Sequence, residues 1–127
     1  MMQVKTYLNI SKIPNAGIGL FAAEFIPKGT IVWKMDSMNN SYKEEEFKSM
    51  PNLYKEFINT YSFKYNNQYI LCVDNARFFN HSNTPNCGSI GDNCTMAQVD
   101  INIGDELTDN YFDFGIIEED NEFNSKI

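Results

Sequence analysis

Histidine and tryptophan each occur once, cysteine three times and proline four times in 127 residues, and several of these scarcities exclude a class of protein. Cys72, Cys87 and Cys94 are odd in number and lack C-x-x-C spacing. They therefore outline neither a disulfide framework nor a zinc knuckle, and read as small buried hydrophobes. No run of 18 apolar residues is present and the first ten residues hold no signal-length apolar stretch, so the expectation is a soluble, intracellular protein with no membrane partner. Gly17-Ile18-Gly19 lacks the third glycine and the following helix of a dinucleotide fingerprint; it reads as a close approach of backbone to something else. Basic residues are also scarce, 10 Lys and Arg against 17 Asp and Glu, for a net charge of −7. Direct nucleic-acid binding is therefore not expected, because it needs clustered cations to release counterions. The charge suits a basic partner such as a lysine-rich peptide, and solubility alone is the plainer account of it.

What is present is core material. Hydrophobic residues make up 43% and aromatics 14% of the chain, too much for a solvated polymer and enough for one packed domain. Residues 4–10 read as a strand, the turn Pro14-Asn15-Ala16-Gly17 follows, and residues 18–23 form an apolar run too short for a helix. Ile26-Pro27-Lys28-Gly29 has the proline and glycine of a type I turn leading into a strand at 30–33. The same Ile-x-x-Gly shape returns at 101–104, too little to indicate a repeat architecture. Ser41 with Glu44 reads as a capping box opening a helix over 42–50, Pro51 stops it, and a second helix is expected at 52–59. Strands are expected again at 61–65 and 69–73, joined by an Asn66-Asn67 hairpin turn, and at 95–99. The fold class is mainly β, with one short helical insert at about 37–60 and no strand–helix alternation.

The densest polar segment is Asn75-Ala76-Arg77-Phe78-Phe79-Asn80-His81-Ser82-Asn83-Thr84-Pro85-Asn86-Cys87. Turn capping by Asn, Ser and Thr accounts for part of it. Ser82, adjacent to His81, is badly placed to face the imidazole, which counts against a Ser–His hydrolase. Arg77-Phe78-Phe79-Asn80-His81-Ser82 followed by Pro85-Asn86-Cys87 resembles the signature of SET-domain lysine methyltransferases. Three further matches come in that family's order: Gly17-Ile18-Gly19-Leu20-Phe21-Ala22, Pro27-Lys28-Gly29, and Gly104-Asp105-Glu106-Leu107-Thr108-Asp109-Asn110-Tyr111.

The resemblance implies a SET-domain, β-clip-like fold of small antiparallel sheets, with a C-terminal pseudoknot in which the segment near Tyr111 threads beneath a loop. It implies transfer of a methyl group from S-adenosylmethionine to the side-chain amine of a lysine in a protein or peptide, a histone among the options. By position, Gly17, Ile18, Gly19, Asn80, His81 and Tyr111 would meet the cofactor, with Tyr111 as the catalytic residue and Arg77 bracing the loop. Tyr61 and Asp109 would line the lysine channel. For Tyr61 the alternative is an ordinary strand aromatic in the core. For Asp109 it is a solvent-facing carboxylate, with Tyr61 or Tyr65 filling the space.

Two departures from the family stand out. Asn83 replaces a cysteine common after the Asn-His-Ser triplet, and residues 112–127 hold no cysteine, so no structural zinc is expected. The reading is one SET domain over 1–115 and a short acidic tail at 116–127, which could cover the site, support a homodimer or stay disordered. Such a minimal form resembles the free-standing SET proteins of viruses and bacteria, and the compartment of a viral member would be the host cell. Two alternatives differ in class: a SET-like module that binds a lysine-bearing peptide or the cofactor without efficient transfer, and a small β-rich interaction protein with no cofactor.

Overall fold

The computed structural model describes residues 1–91 and 94–110. Among the described residues, strands run as β1 (Thr6–Ile10), β2 (Ile18–Ala22), β3 (Ile31–Lys34), β4 (Asn40–Lys43), β5 (Ser62–Tyr65), β6 (Gln68–Leu71), β7 (Asn80–His81), β8 (Cys87–Ile90), β9 (Cys94–Ala97) and β10 (Glu106–Asp109). Helices α1 (Glu44–Lys48) and α2 (Asn52–Tyr61) lie between β4 and β5. The strands form three small sheets ordered β1-β2-β10-β7, β3-β9-β8 and β4-β6-β5. All strand pairs are antiparallel except β10 with β7, which is parallel. This is the mainly-β architecture of small sheets expected from the sequence. No helix among the described residues is long and apolar enough to cross a membrane.

Local chemistry explains several elements. β2 is flanked by β1 on one side and β10 on the other, and Leu20, Phe21 and Ala22 are all buried, which is why its sequence is a continuous apolar run rather than an alternation. Asn66 and Asn67 have φ of 49° and 60°, the left-handed pair that a tight hairpin requires and that asparagine tolerates. They join β5 to β6 in the register Tyr65↔Gln68.

The insert corrects the sequence reading in two places. Residues 40–43 are not the start of a helix but strand β4, held to β6 by pairs such as Ser41↔Ile70. The capping box sits two residues later, where the Glu46 carboxylate accepts from the Lys43 N–H at 3.1 Å. Tyr61 closes α2 rather than opening a strand. Ile58 of α2 packs with Tyr69 and Leu71, and with Tyr42, Phe47 and Met50, so the insert carries its own small core on the β4-β6-β5 sheet.

The main core joins the other two sheets through Leu20, Ala22, Ile26, Val32, Trp33, Ala97, Ile101 and Leu107. At its centre the two Ile-x-x-Gly segments meet. Ile26 and Ile101 exchange backbone hydrogen bonds, both 2.8 Å. Gly29 N donates to Ala97 O at 2.8 Å, and Gly104 N to Ala22 O at 2.9 Å. Ala97 N donates to Thr30 O and Ala22 N to Asp105 O, each at 2.9 Å. Each of these backbone bonds of one segment has its counterpart in the other at the same offset along the chain, an approximate two-fold clasp. Gly29 (φ 90°) and Gly104 (φ 91°) supply the left-handed turn on each side. The clasp feeds β2 and β10 into one sheet and β3 and β9 into another, and so brings residues 18–22 beside residues 106–109.

Candidate active site

The signature segment opens with a 3-10 turn, Asn75–Phe78, capped by Asp74, whose Oδ1 accepts from Ala76 N at 3.1 Å and whose Oδ2 accepts from Met2 N at 2.7 Å. Arg77 Nε donates to Cys72 O at 3.1 Å and its guanidinium lies over the Phe57 ring at 5.6 Å, so Arg77 braces the loop. The chain leaves this turn in an extended conformation and Asn80 and His81 pair in parallel with Thr108 and Asp109. Two motifs whose paired residues are 28 apart in the sequence are thereby laid side by side.

Asn80 is 3% exposed. Its Nδ2 donates to Ile18 O at 3.0 Å and to Glu106 Oε2 at 3.1 Å. Both partners are acceptors only, so the carboxamide has one orientation and Oδ1 faces away from them. The glycine-containing strand and the Asn-His-Ser segment are therefore in direct contact through Ile18 and Asn80. His81 Nε2 pairs with Asn83 Oδ1 at 2.9 Å, which turns the imidazole toward its own loop. Ser82 Oγ accepts from Thr84 N at 3.0 Å, an ordinary turn contact.

The two glycines do different work. Gly17 has φ 76°, and a Cβ built there meets nothing within 4 Å. Gly19 lies against Glu106, and an added Cβ would fall 2.5 Å from Oε2. The space that a side chain at Gly19 would take is filled by this carboxylate. Glu106, 8% exposed, accepts from Ser11 Oγ at 3.0 and 2.7 Å and from Lys12 N at 2.9 Å, in addition to Asn80. Asn86 completes the arrangement, donating from Nδ2 to Glu106 O at 2.8 Å and accepting from Thr108 N at 2.9 Å. Glu106, Ser11 and the bracing role of Asn86 were missed from sequence. The available signal was an acid in the strand Glu106-Leu107-Thr108, where a half-buried position needs a partner.

Alternation along β10 puts Glu106 and Thr108 on one face and Leu107 and Asp109 on the other. Asp109 is 3% exposed, so the solvent-facing alternative does not hold. Its backbone carbonyl accepts from Ser82 N at 2.9 Å. The Cys87 thiol is pushed up to about 12 by burial, with the Asp109 carboxylate adding to the effect. Tyr61 packs edge-on to Phe78 with centroids 5.7 Å apart, and against Phe57 at 4.9 Å. It thus abuts the signature segment from the insert. Tyr111, and with it the threading of the pseudoknot beyond Asn110, lies outside the described residues.

The donor set suits the amino-acid end of S-adenosylmethionine. Asn80 Oδ1, beside the Ile18 strand, is an acceptor with no partner among the described residues and suits an ammonium, and the buried Glu106 carboxylate bonded to the same carboxamide makes the surroundings favourable to a cation.

The family model of the SET domain matches residues 17–112. Among solved structures, a Plasmodium falciparum protein described as a candidate histone methyltransferase superposes with a TM-score of 0.61 at 24% identity, covering 87% of this chain and 95% of that one. No curated protein sequence matches the chain.

Proposed function

The chain belongs to the SET-domain family, and from that premise we propose that it transfers a methyl group from S-adenosylmethionine to the side-chain amine of a protein lysine. The observation that carries this reading is the Asn80 carboxamide. Its donors are spent on Ile18 O and Glu106, and its acceptor is left for a ligand ammonium beside Gly17-Ile18-Gly19. In this reading Asn80 holds the amino-acid end of the cofactor, backbone of His81 meets the adenine, and the backbone of Gly17, Ile18 and Gly19 borders the same pocket. The cofactor, when bound, supplies an electrophilic methyl on a positively charged sulfur.

The reaction needs a neutral amine held in line, so positioning matters more than a covalent enzyme intermediate. Free lysine has a pKa of about 10.4, and a dry channel ending near a positive charge disfavours its ammonium form. Tyr111 is the residue proposed to orient the amine through its hydroxyl. Asp109 and Tyr61 are proposed for the channel, the carboxylate drawing the incoming ammonium and the ring walling the stem. The substrate is a basic, lysine-bearing protein or peptide of histone-like character, consistent with a net charge of −7. The catalytic unit is proposed to be residues 1–115.

Calorimetry with S-adenosylmethionine and its demethylated product tests the reading. Binding of both to folded protein is expected. If neither binds, the enzyme and a cofactor-binding module are both excluded. If both bind and no substrate is ever methylated, the non-transferring module is the correct description.

A further inference from the structure

We infer that Glu106 is a positioning residue that sets the orientation of the Asn80 carboxamide, and through it the affinity for the amino-acid end of the cofactor. The inference rests on the cofactor reading above and adds a residue and a mode of action to it.

Three donors surround the Glu106 carboxylate. Oε1 accepts from Lys12 N at 2.9 Å and Ser11 Oγ at 3.0 Å. Oε2 accepts from Asn80 Nδ2 at 3.1 Å and Ser11 Oγ at 2.7 Å. Each oxygen thus faces at least one group that can only donate, a backbone N–H on one side and an amide NH2 on the other. An ionised carboxylate is the one side chain of this size that satisfies both, because it is acceptor-only at both ends. A glutamine of the same shape must turn its own NH2 toward either Lys12 N or Asn80 Nδ2, whichever way it lies. If the clash falls on Asn80, the Asn80 amide rotates, and Oδ1 no longer faces the ligand side.

The same carboxylate ties together the segments that surround Asn80. Ser11 Oγ also accepts from Ile13 N at 3.0 Å, and Ser11 N donates to Gly17 O at 2.8 Å, so Glu106 anchors the whole turn from residue 11 to residue 17. Gly19 leaves the room for it. Glu106 does not touch the reacting atoms in this account; it acts through Asn80.

Calorimetric titration of the full chain with S-adenosylhomocysteine is the test, using Glu106→Gln, Asn80→Ala and the double variant, with thermal unfolding of each. Glu106→Gln is expected to weaken binding about 10-fold to 100-fold, the range for a buried polar group left mispaired. Asn80→Ala is expected to weaken it comparably, and the double variant to be no worse than Asn80→Ala alone, since Glu106 has nothing left to orient. A purely structural role predicts instead that the two losses multiply. Ser11→Ala keeps the charge but removes its closest contact; it serves if Glu106→Gln does not fold, with a smaller loss that likewise disappears in the Asn80→Ala background. Wild-type protein that binds, with Glu106→Gln binding equally well or its loss multiplying with that of Asn80→Ala, overturns this inference alone. Wild-type protein that binds neither cofactor nor product removes the cofactor reading and the inference with it.

Discussion

Replacing Gly19 by alanine should damage the cofactor site and not only the fold. The added Cβ would fall 2.5 Å from Glu106 Oε2 and 2.9 Å from its Cδ. Carbon and oxygen ordinarily stay about 3.3 Å apart, so the carboxylate must retreat by roughly 0.8 Å or β2 must bend away. The carboxylate is held by Ser11, Lys12 and Asn80, so its retreat stretches a 3.1 Å bond to Asn80 past useful length. Overpacking of this kind costs about 1–3 kcal/mol, roughly 3–15 °C in melting temperature for a domain of this size. Gly29→Ala provides the matched control. Its φ of 90° strains any side chain by about 1–2 kcal/mol, yet a Cβ there meets nothing within 4 Å and the site is not touched. Titration with S-adenosylhomocysteine should therefore show Gly19→Ala at least about 10-fold weaker than wild type, and Gly29→Ala unchanged, at comparable losses in melting temperature. Equal affinity of the two variants would refute the argument that Gly19 exists to admit Glu106.

Three further outcomes are expected. Ile101→Ala, at the centre of the two-fold clasp and 1% exposed, should lose about 2–5 kcal/mol in urea unfolding, and a loss below about 1 kcal/mol would mean that the clasp is not a main support of the core. The Cys72 and Cys87 thiols are both pushed up to about 12 from 9.0, chiefly by burial. A folded state that keeps its thiol protons loses stability as pH rises, so the urea midpoint should fall progressively from about pH 9 toward 12, and Cys72→Ala/Cys87→Ala should flatten that fall. If Asp109 faces the incoming lysine, Asp109→Asn should raise KM for a peptide substrate and move the alkaline optimum to lower pH, because the carboxylate raises the lysine pKa; unchanged kinetics would take Asp109 out of the channel.

The parts of the fold that were legible in the sequence are those set by neighbours in the chain. Asn66-Asn67 marks its hairpin because two consecutive left-handed residues are a local demand. The apolar run at β2 marks a strand because it is too short for anything else. Pairing across the fold hid the rest. Ser41 and Glu44 satisfied the pattern of a helix cap, yet β6 captures residues 40–43 as a strand, and ladder bonds to Ile70 and its neighbours outweigh a local cap. β7 is two residues long and lies inside the polar segment, β8 is four long and starts at its end, and no periodicity can show in so few positions. At the site, the residue types were legible as motifs, and Asn80 and Ile18 do meet. What they meet around was not legible. Glu106 stood in the sequence as one acid of a terminal motif, and only the clasp, joining residues 18–22 to 106–109, reveals that three donors, Ser11 Oγ, Lys12 N and Asn80 Nδ2, converge on it. That Gly19 also makes room for a side chain of the same chain was equally out of reach, because its neighbour Glu106 lies 87 residues away in the sequence.

The most direct test of the central claim is transfer of label from tritiated S-adenosylmethionine to a mixture of basic proteins, core histones included, with the modified residues identified by mass spectrometry. Wild-type protein should place methyl groups on lysine side-chain amines, and Tyr111→Phe, which still binds the cofactor, should fall to near background. Label on no lysine of histones or of a whole-cell lysate, from protein that binds the cofactor, would contradict the account.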